Sequence, residues 1–178
     1  MACSPAPTDR SIVLVGLMGA GKSTVGKSLA RRLRRPFFDT DAEVERGAGL
    51  TVAEIFERFG EGHFRDSERR VVARLVGGPP KVIATGGGAF VDPQTRELIL
   101  DQCLAVWLEA DIETLADRVG RSRHRPLLRG GDPHVVLAAL AAERNPIYAQ
   151  AHLVVRSTPA PHCEAVDTIL AALAEQGP

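Results

Sequence analysis

Short apolar runs alternate along the chain with longer stretches in which apolar residues recur every three or four positions. Residues 11–15 (SIVLV) form a short, continuously apolar run suited to a strand buried in a parallel sheet. Val25, Leu29 and Leu33 then stripe one face of a helix expected to end near Arg34 and Arg35, just before Pro36. Phe37 and Phe38 begin a second strand that ends at Asp39. Thr51 and Glu54 have capping-box spacing, so a helix is predicted to start at Thr51, and another is predicted to carry Phe64, Glu68, Val71, Val72 and Leu75 on one side. KVIAT at 81–85, AVWL at 105–108 and residues 153–155 read as the remaining strands. Asp111 can cap the helix after the fourth strand, a further helix runs from about 133 to 149, and Val166, Ile169, Leu170 and Leu173 stripe the last one. The alternation predicts an α/β protein: a five-stranded parallel sheet in a three-layer αβα sandwich.

At 178 residues the chain has the length of one domain, expected over 11–176 with a disordered tail at 1–10. Twenty-two basic and 22 acidic residues give a formal net charge of zero, which argues against a dedicated nucleic-acid binder; an anionic ligand must be drawn by a local cluster of positive groups. Cys3, Cys103 and Cys163 are far apart with no CxxC pattern, as expected of free thiols in a reducing cytoplasm. No apolar run has the length of a membrane span, and MACSPAPTDR lacks the apolar stretch of a secretory leader. The five histidines show no metal-ligand spacing, and Trp107 sits in a strand pattern that makes it core.

Gly16-Leu17-Met18-Gly19-Ala20-Gly21-Lys22-Ser23 fits GxxxxGK[ST], with a strand before it and a helix after it. Glycines let the backbone wrap closely, so that successive N–H groups point at phosphate oxygens, and the helix start adds the positive end of its dipole. Gly19, Ala20, Gly21, Lys22, Ser23 and Thr24 are therefore expected to hold ATP, with the Lys22 ammonium at the β- and γ-phosphates and the Ser23 hydroxyl on Mg²⁺. Asp39, at the carboxyl end of the second strand, can face Ser23 across the metal. Asp41 is two residues further on; if strand geometry persists, the two carboxylates point the same way, one toward the metal and one toward an acceptor hydroxyl. The plainer alternative for Asp41 is the N-cap of the next helix.

Beyond this motif the chain closely resembles the shikimate kinases from about residue 12 to 155. The resemblance is carried in order by GLMGAGKSTVGKSLA (16–30), DTD (39–41), EIF (54–56), FRDSE (64–68), VIATGGGA (82–89), RPLL (125–128) and ERNPIY (143–148). It implies a P-loop kinase fold with a substrate-binding helical region at about 39–68 and a lid at about 120–132. It implies transfer of the γ-phosphoryl group of ATP to the 3-hydroxyl of shikimate, on the route to aromatic amino acids, by a monomeric cytoplasmic enzyme. Under it, Asp41 orients or deprotonates the attacking hydroxyl, and Arg65 and Arg144 clamp the shikimate carboxylate. Gly86, Gly87 and Gly88 approach the ring, Arg125 closes onto the phosphates and Arg118 stacks on adenine.

Guanidinium forks suit a small carboxylate ligand, and phosphoryl transfer asks mainly for positioning and charge neutralisation. Plainer roles stand beside these: Arg65 has Glu61 and Glu68 at helical pair spacing, Glu68 could brace Arg65, and Phe56 and Phe64 could line the acceptor pocket or only pack. Another small-molecule kinase of the same fold, such as a gluconate kinase, or a non-catalytic nucleotide-binding module are the alternative functions.

Overall fold

The computed structural model describes residues 9–120, 131–159 and 161–175. Among them, five strands form one parallel sheet: β1 (Ser11–Val15), β2 (Phe37–Asp39), β3 (Val82–Ala84), β4 (Cys103–Glu109) and β5 (Leu153–Arg156), in the order β2-β3-β1-β4-β5. The central strands β1 and β3 are buried at every position, whereas the edge strands β2 and β5 are only partly covered. That difference accounts for the unbroken apolar run of SIVLV in the middle of the sheet. The helices are α1 (Lys22–Leu33), α2 (Thr40–Ala48), α3 (Val52–Val76), α4 (Pro93–Gln102), α5 (Ile112–Gly120), α6 (Pro133–Tyr148) and α7 (Cys163–Glu175). α1 packs on α7, α3 on α4, and α5 on α6, giving the three-layer sandwich with the main core on the sheet.

Helix boundaries follow local chemistry. α1 stops where Arg34 turns left-handed at φ 54°, its N–H closing onto the Ala30 and Arg31 carbonyls. Thr51 and Glu54 form the expected capping box at the start of α3. The Lys81 ammonium closes the other end, donating to the Leu75 and Gly77 carbonyls at 2.9 and 2.6 Å. Asp111 caps α5 through the Thr114 N–H at 2.7 Å.

The two helices read from residues 51–76 are both present, separated within α3 by a break at Gly60, whose φ of 81° and ψ of 171° lie outside helical geometry. Three expectations change. Strand geometry does not persist beyond Asp39: α2 begins at Thr40, and Asp39 rather than Asp41 is its N-cap. α4, capped by Asp92 with Pro93 in its first turn, was not read from the sequence at all. Arg10, placed in the tail, donates to the Leu100 and Asp101 carbonyls at 3.3 and 2.7 Å. The segment 121–130, which holds Arg125 and most of the expected lid, lies outside the described residues; Asp132, at its far end, caps α6 through the His134 N–H at 2.9 Å.

The turn after β1 depends on one glycine in particular. Gly16 has φ 138°, and a Cβ there would lie 2.6 Å from the Leu108 carbonyl oxygen of β4. Because the obstacle is backbone, Gly16→Ala is expected to lower stability by about 1–3 kcal/mol. Urea unfolding checks this, and an unchanged midpoint would show that the turn can yield.

Candidate active site

The loops at the carboxyl ends of β1, β2 and β3 open into one cavity of about 790 Å³. Lys22, Ser23, Asp39, Asp41, Arg65, residues 86–88, Arg118 and Arg144 all line it. The phosphate-type loop and the two arginines predicted to hold an acceptor therefore share a crevice, as open α/β sheets arrange their ligands.

At one end lies the glycine loop. Gly21, at φ 91°, precedes α1 with no side-chain cap and no acidic residue in the first turn, leaving the helix start suited to an anion. The Lys22 ammonium donates to the Gly16 and Leu17 carbonyls at 2.7 and 2.8 Å. The Ser23 hydroxyl donates to Asp39 Oδ2 at 2.5 Å. The other oxygen of Asp39 accepts from the N–H groups of Asp41 and Ala42 at 3.1 and 3.3 Å, so capping α2 aims the free side of this carboxylate at Ser23. A hydroxyl and a carboxylate together are a hard oxygen pair that fits Mg²⁺, which takes few protein ligands and completes its shell with phosphate and water. Among the described residues no cluster of three His, Cys, Asp or Glu side chains could hold a metal unaided.

Beside this loop, Arg118 of α5 donates to the Gly19 carbonyl at 3.2 Å, to the Ser157 hydroxyl at 3.0 Å and to the Thr158 carbonyl at 2.6 Å. Ser157 in turn donates to the Ala20 carbonyl at 3.0 Å. The chain after β5 is thus tied to the glycine loop, and Pro159, Pro161 and His162 join the cavity wall there. The family resemblance implies a second adenine contact within residues 157–161 without fixing it on one residue, and His162 carried no signal in the sequence.

At the other end are four charged groups, Glu68 and Arg144 buried and Asp41 and Arg65 partly so. Arg65 donates to Glu68 at 2.8 Å and to Glu61 at 3.1 Å and lies over the Phe64 ring, 5.2 Å from its centroid. Glu61 and Glu68 therefore both brace Arg65 while it lines the cavity. Phe64 does both of the things suggested for it, packing with Val44 and Ile55 in a small second core and, with Phe56, walling the cavity. Arg144 of α6 donates to the Gly87 carbonyl at 3.4 Å.

Two of the three glycines at 86–88, Gly86 and Gly88, are explained by space. A Cβ on Gly86 would lie 2.5 Å from Glu68 Oε1 and 2.7 Å from Asp41 Oδ1, and one on Gly88 would lie 2.4–2.5 Å from the Arg65 guanidinium. None of the three has a left-handed φ, so it is the missing side chain that matters here. Asp41 Oδ1, Glu68 Oε1 and Arg144 Nε are buried without a hydrogen-bond partner.

Burial pushes the Asp41 carboxyl up to about 6, helped by the Asp39 charge and opposed by Lys22 and Arg65. Burial also pushes Glu68 up to about 7, against the pull of Arg65. A carboxyl that holds its proton more tightly folded than unfolded makes stability fall as pH rises from its unfolded value, 4.5, through its folded one, about 7. Glu68→Gln is therefore expected to flatten that part of the stability profile, measured by urea unfolding between about pH 5 and 8. An identical slope in the variant would place the linked proton elsewhere.

The family model described as shikimate kinase matches residues 18–174. A shikimate kinase of Zymomonas mobilis subsp. mobilis is 52% identical over 167 residues, which cover 94% of this chain and 95% of that protein. A shikimate kinase of Caulobacter vibrioides is 56% identical over 164 residues, covering 92% and 82%. Among solved structures, the shikimate kinase from Acinetobacter baumannii in complex with shikimate superposes with a TM-score of 0.92 at 37% identity, covering 95% of each chain. With that model spanning most of the chain and such relatives along nearly its whole length, this protein belongs to the shikimate kinase family.

Proposed function

We propose that the protein transfers the γ-phosphoryl group of ATP to the 3-hydroxyl of shikimate, giving shikimate 3-phosphate and ADP. One observation carries this reading. Asp41 and Arg144 line the same cavity as the phosphate loop, and each has a buried polar atom without a partner, the acceptor Asp41 Oδ1 and the donor Arg144 Nε. A hydroxyl satisfies the first and a carboxylate the second, which is the chemistry of a hydroxy acid.

In this reading the loop amides of Gly19, Ala20 and Gly21 and the start of α1, with Ser23 and Thr24, hold the triphosphate, and Lys22 adds charge at the transferring group. Ser23 and Asp39 hold Mg²⁺, which supplies charge neutralisation to the β- and γ-phosphates. Arg65 and Arg144 grip the carboxylate and fix the ring against residues 86–88. Asp41 aligns the attacking hydroxyl and takes its proton at Oδ1. Arg118 forms one side of the adenine site, with Pro159 and Pro161 near it. Arg125 is assigned to the phosphates from the family resemblance alone.

The chain carries both halves of the site itself, which supports action as a monomer. An ATP-dependent reaction, together with the free thiols of Cys103 and Cys163, supports a cytoplasmic setting. No described helix is long and apolar enough to cross a membrane.

Release of ADP measured with shikimate, gluconate and nucleoside monophosphates tests the reading; turnover with gluconate in preference to shikimate would replace it. ATP binding with no turnover on any acceptor would favour a non-catalytic module. Asp41→Asn is expected to leave the KM for ATP unchanged and to lower kcat by ~10² or more, and an undiminished kcat would remove Asp41 from the chemistry. Arg65→Ala is expected to weaken shikimate binding by ~1.5–3 kcal/mol with little effect on ATP, read as the two KM values. An unaltered KM for shikimate would exclude Arg65 from the acceptor site.

A further inference from the structure

Tyr148 is fully buried at the last position of α6, one helical turn beyond Arg144. Its hydroxyl donates to the Gly87 carbonyl, the same oxygen that Arg144 reaches at 3.4 Å. Residues four apart on a helix lie on one face, so two side chains of α6 converge on one backbone oxygen of the triple-glycine turn. The Tyr148 ring lies 6.0 Å from Trp107 and 6.4 Å from Phe90, centroid to centroid. Phe90 follows the glycine turn directly, and Trp107 lies against the start of the phosphate loop, where a Cβ on Gly16 would be 3.3 Å from its ring. Gly87 itself sits beside that loop, since a Cβ there would be 3.6 Å from the Met18 N–H nitrogen and 3.8 Å from the Gly16 carbonyl oxygen. Tyr148 therefore touches the glycine turn directly and reaches the start of the phosphate loop through Trp107.

We propose that Tyr148 is a positioning residue, whose hydroxyl occupies the Gly87 carbonyl so that the glycine turn is held and the Arg144 guanidinium is left to face the acceptor's carboxylate. The inference rests on the proposed function for the identity of that acceptor. Its logic is competition for a carbonyl. With the tyrosine present, Gly87 already has a strong neutral donor and the arginine contact can stay long. Without the hydroxyl, Arg144 becomes the donor left to that oxygen and is drawn away from the ligand. Burial pushes the Tyr148 hydroxyl up to about 12, with Arg144 acting the other way, so it remains a donor throughout the working pH range.

Tyr148→Phe removes the hydroxyl and keeps the ring packing. Amide exchange over residues 86–91 in the ligand-free protein should accelerate about five- to tenfold, as expected for one hydrogen bond lost; that turn is closed by Ala89 N–H to Gly86 and Val91 N–H to Gly88. The KM for shikimate should rise about five- to tenfold, with kcat and the KM for ATP within about twofold of the original. Tyr148→Phe combined with Arg144→Lys should raise that KM by less than the product of the two single effects. An unchanged KM for shikimate overturns the proposal even if exchange accelerates, because the hydroxyl would then be structural only. Unchanged exchange also overturns it, as does an equal rise in both KM values accompanied by a fall in Tm. Absence of shikimate turnover in the unaltered protein would instead overturn the proposed function, and exchange in the ligand-free turn would still decide whether the Tyr148 hydroxyl holds it.

Discussion

Two carboxylates and two guanidinium groups are brought together where little water reaches, and much of the acceptor end of this molecule is arranged to make that tolerable. A buried charge is costly unless it is paired and hydrogen-bonded. Arg65 meets this requirement through Glu68 and Glu61, and Arg144 meets it in part through the Gly87 carbonyl. Asp41 and Glu68 are only partly compensated, and the rise of both toward neutral pH is the physical sign of it. Among the described residues, the buried side-chain atoms left without partners all belong to these groups. Their unmet hydrogen-bonding capacity is what gives a polar ligand an advantage over water at this position.

The glycine turn at 86–88 is the complement of that charge cluster. Two of its omitted side chains correspond to charged groups that need the volume: Asp41 and Glu68 beside Gly86, Arg65 beside Gly88. The turn is also fastened to elements that carry the other half of the chemistry. Gly86 N–H donates to the Thr40 hydroxyl at 3.0 Å at the head of α2, and the Thr85 hydroxyl donates to the Leu14 carbonyl of β1 at 2.9 Å. A displacement of the acceptor pocket is thereby resisted by the strand that leads into the phosphate loop. Phosphoryl transfer is sensitive to the spacing of donor and acceptor, so this shared framework has chemical value as well as structural value.

What could be read from the residues alone follows from how local each signal is. SIVLV, the GxxxxGKS loop and the Thr51–Glu54 capping box are complete within a few positions, and the structure has them where the sequence indicated. β2 ends at Asp39 as expected, but DTD alone does not show whether strand geometry runs on to Asp41; Asp39 also caps α2, with bonds to Asp41 and Ala42, so the helix starts at once. α4 went unread because only Thr95 and Ile99 are buried along it, too few for an apolar stripe to stand out. Gly60 separates two helical patterns, and the backbone leaves helical geometry there. For the site, the GxxxxGKS spacing placed Lys22 and the family resemblance placed Arg65 and Arg144, but the reasons for Gly86 and Gly88 are contacts between segments tens of residues apart. No periodicity carries such information.

Tyr148 shows where that boundary falls. Its type and position in ERNPIY suggest only a buried aromatic at a helix end, and its neighbours in sequence are Pro146, Ile147 and Ala149. Its partners are Gly87, Phe90 and Trp107, on two other elements. An aromatic residue with a hydroxyl combines a large apolar body for packing with one directed donor, and burial makes that donor obligatory to satisfy. Placing the donor on the carbonyl that an active-site arginine also reaches converts a packing residue into one that sets how far the arginine extends. The same physics acts on Asp39, whose two oxygens serve a helix cap and the Ser23 hydroxyl. In both, a structural bond on one side aims a functional group on the other, so stability and geometry at this site are set by the same few hydrogen bonds.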